Sequence, residues 1–340
     1  MLRLPPLRHA SPSTLEEAIE LLGVEGAVLA AGGTDLVPNL KRRQHSATVV
    51  VSLRRVEGLH GVRVDGDGTV RIGALTTLAT VADDSRVPAA LRTAAGSVAS
   101  PQIRNQGTAG GNLCVDTRCD WLNVPDLWRQ AAEPCLKAGG DTCWVAPAKQ
   151  HCWAVSSTDL APVFIALDAS VTLVGRAGRR SLSVEDLYRD DGMDHVAKAP
   201  DEILVEIAVP PDPGLRSTYH KLRRRGSVDF PILGVAAAIR TDDDGICTEA
   251  RIVLGAVASA PLRAHEAEEA LVGQPFGPDA IAAAAEAARK LARPLANTDL
   301  TSRYRKRMVP VFVTRALDEL KSDPPPRPAA GDRFPPPPPP

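Results

Sequence analysis

The sequence lacks an excess of charge of either sign, and it lacks a long apolar run. Its 40 lysines and arginines are balanced by 41 aspartates and glutamates, which leaves a formal net charge of −1. A protein without a basic field has no general attraction for nucleic acid or anionic lipid. No stretch reaches the roughly 20 apolar residues of a membrane-spanning helix, and residues 1–12 contain no signal-peptide-like segment. The sequence therefore predicts a cytoplasmic protein that binds neither nucleic acid nor membrane.

Several common cofactor motifs are also missing from the sequence. It has no G-x-G-x-x-G fingerprint and no Walker A motif, which argues against a Rossmann nicotinamide site and a P-loop. It has no C-x2-C pair, which weighs against a zinc ribbon. The C-x4-C-x2-C run of [2Fe–2S] ferredoxins is absent, and nothing indicates a molybdopterin site. We therefore predict no catalytic residue in this chain.

Tryptophan and cysteine are scarce, but they are concentrated in one segment. Five of the six cysteines lie between Cys114 and Cys152, and all four tryptophans lie between Trp121 and Trp153. A segment this short cannot bury enough apolar surface to be stable by itself, and a bound metal commonly supplies the difference. We therefore interpret residues 116–156 as an insertion with its own small core, in which the indoles pack around a metal centre and limit its access to water.

Four cysteines of the insertion, spaced by 16, 8 and 9 positions, are predicted to share one metal site: Cys119, Cys135, Cys143 and Cys152. Thiols stay reduced in the cytoplasm, so clustered cysteines there are more often metal ligands than disulfides. The spacing leaves three alternatives open, namely an iron–sulfur centre, zinc and unligated buried thiols. Three other candidates are expected to lie outside the site: Cys114, Cys247 and His151.

Hydrophobic periodicity along the chain predicts an α+β fold without regular strand–helix alternation. Strands are predicted at 27–30, 49–53, 62–64, 69–72, 171–175, 203–209, 215–223, 232–240 and 246–257. Helices are predicted at 14–22, 76–83, 87–97, 263–272, 278–292 and 299–320. Prolines at 210, 211 and 213 indicate a domain boundary. The predicted units are residues 1–210, which contain the insertion, a C-terminal domain at 215–321, and a disordered proline-rich tail at 322–340.

Two glycine-rich turns are candidates for binding a diphosphate. The first, residues 31–35, has the sequence Ala-Gly-Gly-Thr-Asp, and the second, residues 107–112, has the sequence Gly-Thr-Ala-Gly-Gly-Asn. Glycine permits positive φ and close approach of the backbone, so that successive N–H groups can cradle a phosphate. Either turn alone is equally consistent with an ordinary tight turn. Together they favour a diphosphate held between two loops.

These two turns, with Lys221, Arg225, Asp229 and Phe230, resemble the FAD-binding medium subunits of the xanthine dehydrogenase and carbon monoxide dehydrogenase family. The resemblance covers about residues 2–320. It implies a PCMH-type FAD-binding domain followed by a smaller C-terminal α+β domain. The insertion resembles that of the β subunit of 4-hydroxybenzoyl-CoA reductase, in which four cysteines at the same spacing hold a [4Fe–4S] cluster.

The resemblance implies a set of FAD-binding residues. The diphosphate would be held by backbone groups of both turns, while Asp159 and Lys221 match a family aspartate and a family lysine near the flavin. The alternative for Lys221 is a surface salt bridge. The implied FAD-binding set is Ala31, Gly32, Gly33, Thr34, Asp35, Thr108, Ala109, Gly110, Gly111, Asn112, Asp159 and Lys221.

The resemblance also implies partners and a direction of electron flow. A molybdopterin-binding large subunit and a [2Fe–2S] small subunit would complete an αβγ protomer, duplicated as an (αβγ)2 assembly. Electrons would pass from ferredoxin through the [4Fe–4S] cluster and FAD to the partner centres, where 4-hydroxybenzoyl-CoA is reductively dehydroxylated. Two alternatives are a conventional molybdenum hydroxylase subunit, which passes electrons to NAD or a quinone, and a zinc-stapled docking module without redox function.

Overall fold

A computed structural model describes residues 2–321 of the chain, so the predicted proline-rich tail lies outside the described residues. The helices are α1 Leu15–Leu21, α2 Leu36–Lys41, α3 Leu78–Asp83, α4 Ala89–Ser97, α5 Pro101–Arg104, α6 Ala109–Leu113, α7 Asp120–Asn123, α8 Asp126–Ala131, α9 Leu160–Ala166, α10 His265–Glu269, α11 Pro278–Leu291 and α12 Ser302–Glu319. The strands are β1 Arg8–Ala10, β2 Ala27–Ala30, β3 Val49–Ser52, β4 Val62–Val64, β5 Val70–Gly73, β6 Ser170–Gly175, β7 Gly178–Ser183, β8 Ile203–Val209, β9 Arg216–Leu222, β10 Leu233–Thr241, β11 Cys247–Gly255 and β12 Leu262–Arg263.

The N-terminal part of the chain contains two sheets. The first is a parallel sheet with strand order β1-β3-β2. All four residues of its central strand β3 are buried, because a strand inside a parallel sheet is covered on both faces. The second is an antiparallel sheet with strand order β4-β5-β8-β6-β7.

The C-terminal part is an antiparallel sheet with strand order β12-β11-β10-β9. Side chains of β10 alternate between two cores. Val235 and Ala237 pack with α11 and α12 on one face, while Ala236 and Ala238 join the N-terminal core on the other face. Because both faces are covered, β10 is apolar along most of its length.

Helix α9 lies where the N-terminal and C-terminal parts meet. All seven of its residues are buried, and it packs against α4 and α6 on one side and against β10 and β11 on the other. A side chain at Gly255 of β11 would place its Cβ 2.8 Å from Cγ of Pro162. This close packing fixes the start of α9 relative to the C-terminal sheet.

The predicted α+β class is confirmed. Strands β2, β4 and β8 have the predicted bounds, because glycine, proline or acidic residues lie at or close to their ends. Strands β1 and β7 were not predicted, since both are largely exposed and show no apolar pattern. The predicted helix at 263–272 is reduced to α10. No helix within residues 2–321 is both long enough and apolar enough to cross a membrane.

Candidate functional site

The first glycine turn connects β2 to α2. Gly33 has a φ of 70°, in the left-handed region that favours glycine. Within residues 2–321, the N–H groups of residues 32–35 donate no hydrogen bond. Consecutive open N–H groups of this kind form a concave site for an anion. The first turn can therefore receive a phosphate group.

The second glycine turn packs directly against the first. A Cβ added to Gly32 would lie 1.9 Å from the carbonyl oxygen of Gln106 and 3.0 Å from Cα of Gly107. Gly111 also approaches Ala31, with its ideal Cβ 3.7 Å from that of Ala31. The two turns thus form one continuous wall, and Gly32 is required by this contact between backbones.

Most N–H groups of the second turn donate hydrogen bonds inside the chain. Ala109 donates to the carbonyl of Thr76 at 2.9 Å, and Gly110 donates to that of Ala74 at 2.9 Å. Gly111 donates to the hydroxyl of Thr108 at 3.1 Å, which caps α6. The N–H of Thr108 donates no hydrogen bond within residues 2–321, and the part of the second turn in FAD binding stays a prediction.

Asn112 joins the second turn to the chain that follows the insertion. Its side-chain oxygen accepts hydrogen bonds from the hydroxyl of Thr158 at 2.8 Å and from the N–H of Leu160 at 3.0 Å. Residues on both sides of the insertion are therefore held together by a contact that does not involve the insertion. Asn112 acts here on the protein itself, and its predicted part in FAD binding stays a prediction.

Asp159 and Lys221 form a buried ion pair beside α9. Lys221 Nζ lies 3.0 Å from Asp159 Oδ2, and the two side chains are 4% and 3% exposed. The hydroxyl of Tyr219 donates to Asp159 Oδ1 at 2.8 Å, and Lys221 also donates to the carbonyl of Ser97 at 3.2 Å. Burial raises the pKa of Asp159 and lowers the pKa of Lys221, and their mutual attraction opposes both changes. Lys221 is therefore not a surface lysine.

Replacing Asp159 with Asn is expected to lower the free energy of unfolding by about 3 kcal/mol, because it leaves the buried ammonium of Lys221 without its counter-ion. Urea unfolding followed by circular dichroism measures this change. The double variant Asp159→Asn/Lys221→Met is the control, since removing both charges together is expected to destabilise less than the two single changes added together. Additive losses would show that the two groups are not coupled.

Two backbone hydrogen bonds join the two ends of the insertion, which we call its base. Arg118 N–H donates to the carbonyl of Val155 at 2.8 Å, and Val155 N–H donates to that of Arg118 at 2.7 Å. Lys137 links the insertion to the domain, since its Nζ lies 2.7 Å from Asp116 Oδ1 and 2.8 Å from the carbonyl oxygen of Gly192. The segment between Arg118 and Val155 therefore leaves and re-enters the domain at one point.

Four thiols of the insertion line one small pocket, together with Trp121, Trp144 and apolar side chains. Three of the four thiol-bearing residues are buried, one is half-buried, and none forms a disulfide. We call this space the thiol pocket; its cysteines are Cys119, Cys135, Cys143 and Cys152. The spacing prediction thus selected four residues that meet at one place, and their role as metal ligands stays a prediction.

Burial keeps two thiols of the thiol pocket, those of Cys119 and Cys152, protonated in the absence of a cation. Burial raises the pKa of Cys119 and the pKa of Cys152 to about 11, so ligation must displace a proton from each. Within residues 2–321, no three Cys, His, Asp or Glu side chains are grouped to hold a single metal ion. A tetrahedral zinc site needs four ligands on one ion, whereas a four-iron cluster takes one thiolate at each iron and is a larger object.

The tryptophans surround the thiol pocket less completely than predicted. Trp121 and Trp144 line it, with ring centroids 5.7 Å apart, but Trp128 is 67% exposed. Trp153 lies against His151, with ring centroids 4.5 Å apart. The small core of the insertion is formed by cysteine and aliphatic side chains, because a single-turn helix such as α7 presents few positions inward.

The remaining cysteines lie elsewhere. Cys114 packs against the N-terminal core and Cys247 is buried in the C-terminal core. Sequence reasoning missed three residues that shape the site, namely Arg118, Lys137 and Tyr219. The position of Arg118 next to Cys119 was the one available signal, while the contacts of the other two depend on residues far along the chain.

Comparison with known proteins identifies relatives along nearly the whole chain. A model for the FAD binding domain in molybdopterin dehydrogenase matches residues 5–212, and a model for the CO dehydrogenase flavoprotein C-terminal domain matches residues 217–320. The carbon monoxide dehydrogenase medium chain of Afipia carboxidovorans is 30% identical over 317 residues, covering 92% of this chain and 95% of that one. The nicotinate dehydrogenase FAD-subunit of Eubacterium barkeri is 32% identical over 275 residues, covering 78% and 79%.

A solved structure supports the same relationship. Carbon monoxide dehydrogenase from Hydrogenophaga pseudoflava contains a chain that superimposes with a TM-score of 0.77 at 30% identity, covering 93% of this chain and 97% of that one. Together with the two domain models, this confirms the predicted fold, a PCMH-type FAD-binding domain followed by a C-terminal α+β domain.

Proposed function

The chain belongs to the FAD-binding subunits of the molybdopterin dehydrogenases, and on this basis we propose that it is an electron-transfer flavoprotein subunit with an added [4Fe–4S] cluster. The observation that carries the proposal is the thiol pocket, in which an insertion closed at its base brings four cysteines together. The proposed partners are a molybdopterin-binding large subunit and a [2Fe–2S] small subunit, assembled as (αβγ)2.

The first glycine turn is the proposed site of the FAD diphosphate, because its open N–H groups fit an anion. Bound FAD would accept and release electrons singly or in pairs. The second turn supports the first as a wall of the site. The ammonium of Lys221 is held by two hydrogen bonds, one to the carboxylate of Asp159 and one to the carbonyl of Ser97.

The thiol pocket is the proposed site of the [4Fe–4S] cluster, with Cys119, Cys135, Cys143 and Cys152 as ligands. A bound cluster would exchange one electron at a time. Trp121 and Trp144 line the pocket and are themselves partly exposed to solvent. The surrounding aliphatic side chains exclude water, which together with hydrogen bonding sets the potential of such a centre.

Within this class, we assign the chain to the ferredoxin-linked type that reductively dehydroxylates 4-hydroxybenzoyl-CoA on a partner subunit. The four-cysteine insertion supports this assignment, since it provides a one-electron port. The alternative is a conventional molybdenum hydroxylase subunit that delivers electrons to NAD or a quinone, and the relatives agree equally well with it. The zinc-stapled module is the second alternative, and metal analysis of the purified protein separates zinc from iron.

Cys143→Ser tests the cluster. Anaerobically purified wild-type protein is expected to contain about four irons per FAD, while Cys143→Ser loses most of its iron and keeps its flavin. Iron analysis and visible absorbance measure both. Cys114→Ser is the matched control, because this thiol does not line the thiol pocket and its loss should leave the iron in place. Zinc in the wild-type protein, or equal iron loss in both variants, would contradict the proposal.

A further inference from the structure

Arg118 touches three parts of the molecule that are distant in sequence. Its backbone closes the base of the insertion, and Cys119 of the thiol pocket follows it directly. Its guanidinium pairs with Asp35, the last residue of the first glycine turn. The same group stacks on the ring of Phe230 in the C-terminal part, with 4.7 Å between Cζ and the ring centroid.

The ion pair between Arg118 and Asp35 is well fixed. Arg118 is 12% exposed and Asp35 30% exposed, and Asn39 donates from Nδ2 to Asp35 Oδ2 at 3.0 Å. Arg118 reaches Asn39 Oδ1 at 3.4 Å. Its Nε is buried and has no hydrogen-bond partner within residues 2–321. A planar guanidinium can pair with a carboxylate and stack on an aromatic ring at once, which a lysine cannot do.

The negative charge of Asp35 would oppose the binding of an anion at the first glycine turn, and Arg118 compensates it. The N–H groups of the first turn fit an anion, yet the turn ends on a carboxylate that would repel the diphosphate of a flavin nucleotide. A cation paired with Asp35 neutralises this carboxylate. Because Arg118 is anchored at the base of the insertion, the neutralising charge is delivered from outside the turn itself.

We propose that Arg118 is a positioning residue for the flavin site, which fixes and neutralises Asp35 so that the first glycine turn can receive the diphosphate. Arg118 acts through Asp35 and does not itself bind the flavin. This inference rests on the proposed binding of FAD at the first turn, and it adds to that site Arg118, a residue at the base of the insertion.

The test is the affinity of the flavin-depleted protein for FAD, measured by quenching of flavin fluorescence. Arg118→Gln is expected to weaken binding about tenfold, which corresponds to about 1.4 kcal/mol. The double variant Arg118→Gln/Asp35→Asn is expected to return to within about threefold of wild type, because the unpaired carboxylate is gone. Arg118→Lys, which keeps the charge but not the planar fork, should bind with intermediate affinity.

Two results would overturn the proposal. One is an Arg118→Gln variant that binds FAD as tightly as wild type. The other is a double variant that binds FAD as weakly as the single variant, which would show that Arg118 contributes to the fold and not to the charge of the site. If Arg118→Gln does not fold, Arg118→Lys decides, since a loss of more than tenfold there excludes a role for the charge. A wild-type protein that binds no FAD would instead reject the flavin role itself.

Discussion

Replacing residues 119–154 with the dipeptide Asn-Gly is expected to give a folded protein that binds FAD, contains no iron and is no longer reduced by ferredoxin. The two hydrogen bonds between Arg118 and Val155 form a closely spaced antiparallel pair. Such a pair can be closed by a two-residue turn, and Asn-Gly suits the type I′ geometry that matches strand twist. The deletion keeps Arg118, so the contact with Asp35 survives.

The rest of the domain has contacts that hold it together without the insertion. Asn112 links the second glycine turn to Thr158 and Leu160, and α9 remains buried between the two cores. The deletion removes some hydrogen bonds, such as those from Arg129 to the carbonyls of residues 42 and 43. A hydrogen bond with one charged partner contributes about 1.5–3 kcal/mol when buried and less when exposed, as these are. We therefore expect a less stable but folded flavoprotein.

Anaerobic stopped-flow measurement of flavin reduction with two donors separates the roles of the insertion. A small donor such as a reduced viologen reaches the flavin directly and should reduce both proteins. Ferredoxin should reduce the wild type and not the truncated protein. Cys143→Ser, with its insertion present, is the matched control, because it tells the loss of the cluster from the loss of a docking surface. Equal ferredoxin rates with and without the insertion would show that electrons enter at the flavin.

Gly32→Val is expected to abolish retention of FAD. The first atom of any side chain at this position would lie 1.9 Å from the carbonyl oxygen of Gln106, far inside contact distance, so the two glycine turns must separate. Separation displaces the open N–H groups of the first turn from the position in which they can bind a diphosphate. Overpacking of this kind also destabilises the fold by about 1–3 kcal/mol.

The flavin-to-protein absorbance ratio after gel filtration measures this loss, and circular dichroism shows whether the variant is folded. Gly110→Val should behave alike, since its Cβ would meet that of Ala74 at 2.8 Å. Gly66→Val is the matched control, because nothing lies within 4 Å of its ideal Cβ. Full flavin content in both Gly32→Val and Gly110→Val would place the flavin site elsewhere in the chain.

The sequence alone determined the features of this protein that depend on local pattern. The bounds of β2 and β8 followed from the length of apolar runs, and the two glycine turns followed from residues that permit close backbone approach. The four cysteines of the thiol pocket followed from their concentration in a segment too short to form a core by burial. Each of these properties is carried by neighbours in the chain.

The tertiary structure alone decided which of these groups are available for binding. The second glycine turn looked equivalent to the first, yet its Ala109 and Gly110 N–H groups donate to the carbonyls of Thr76 and Ala74, which no local pattern reveals. Lys221 meets Asp159, and Arg118 meets Asp35, across long stretches of chain. A hydrogen bond or an ion pair depends on where its partner is brought by the fold. The sequence therefore specified the candidate groups, and packing decided which of them keep hydrogen-bond donors or charges unpaired.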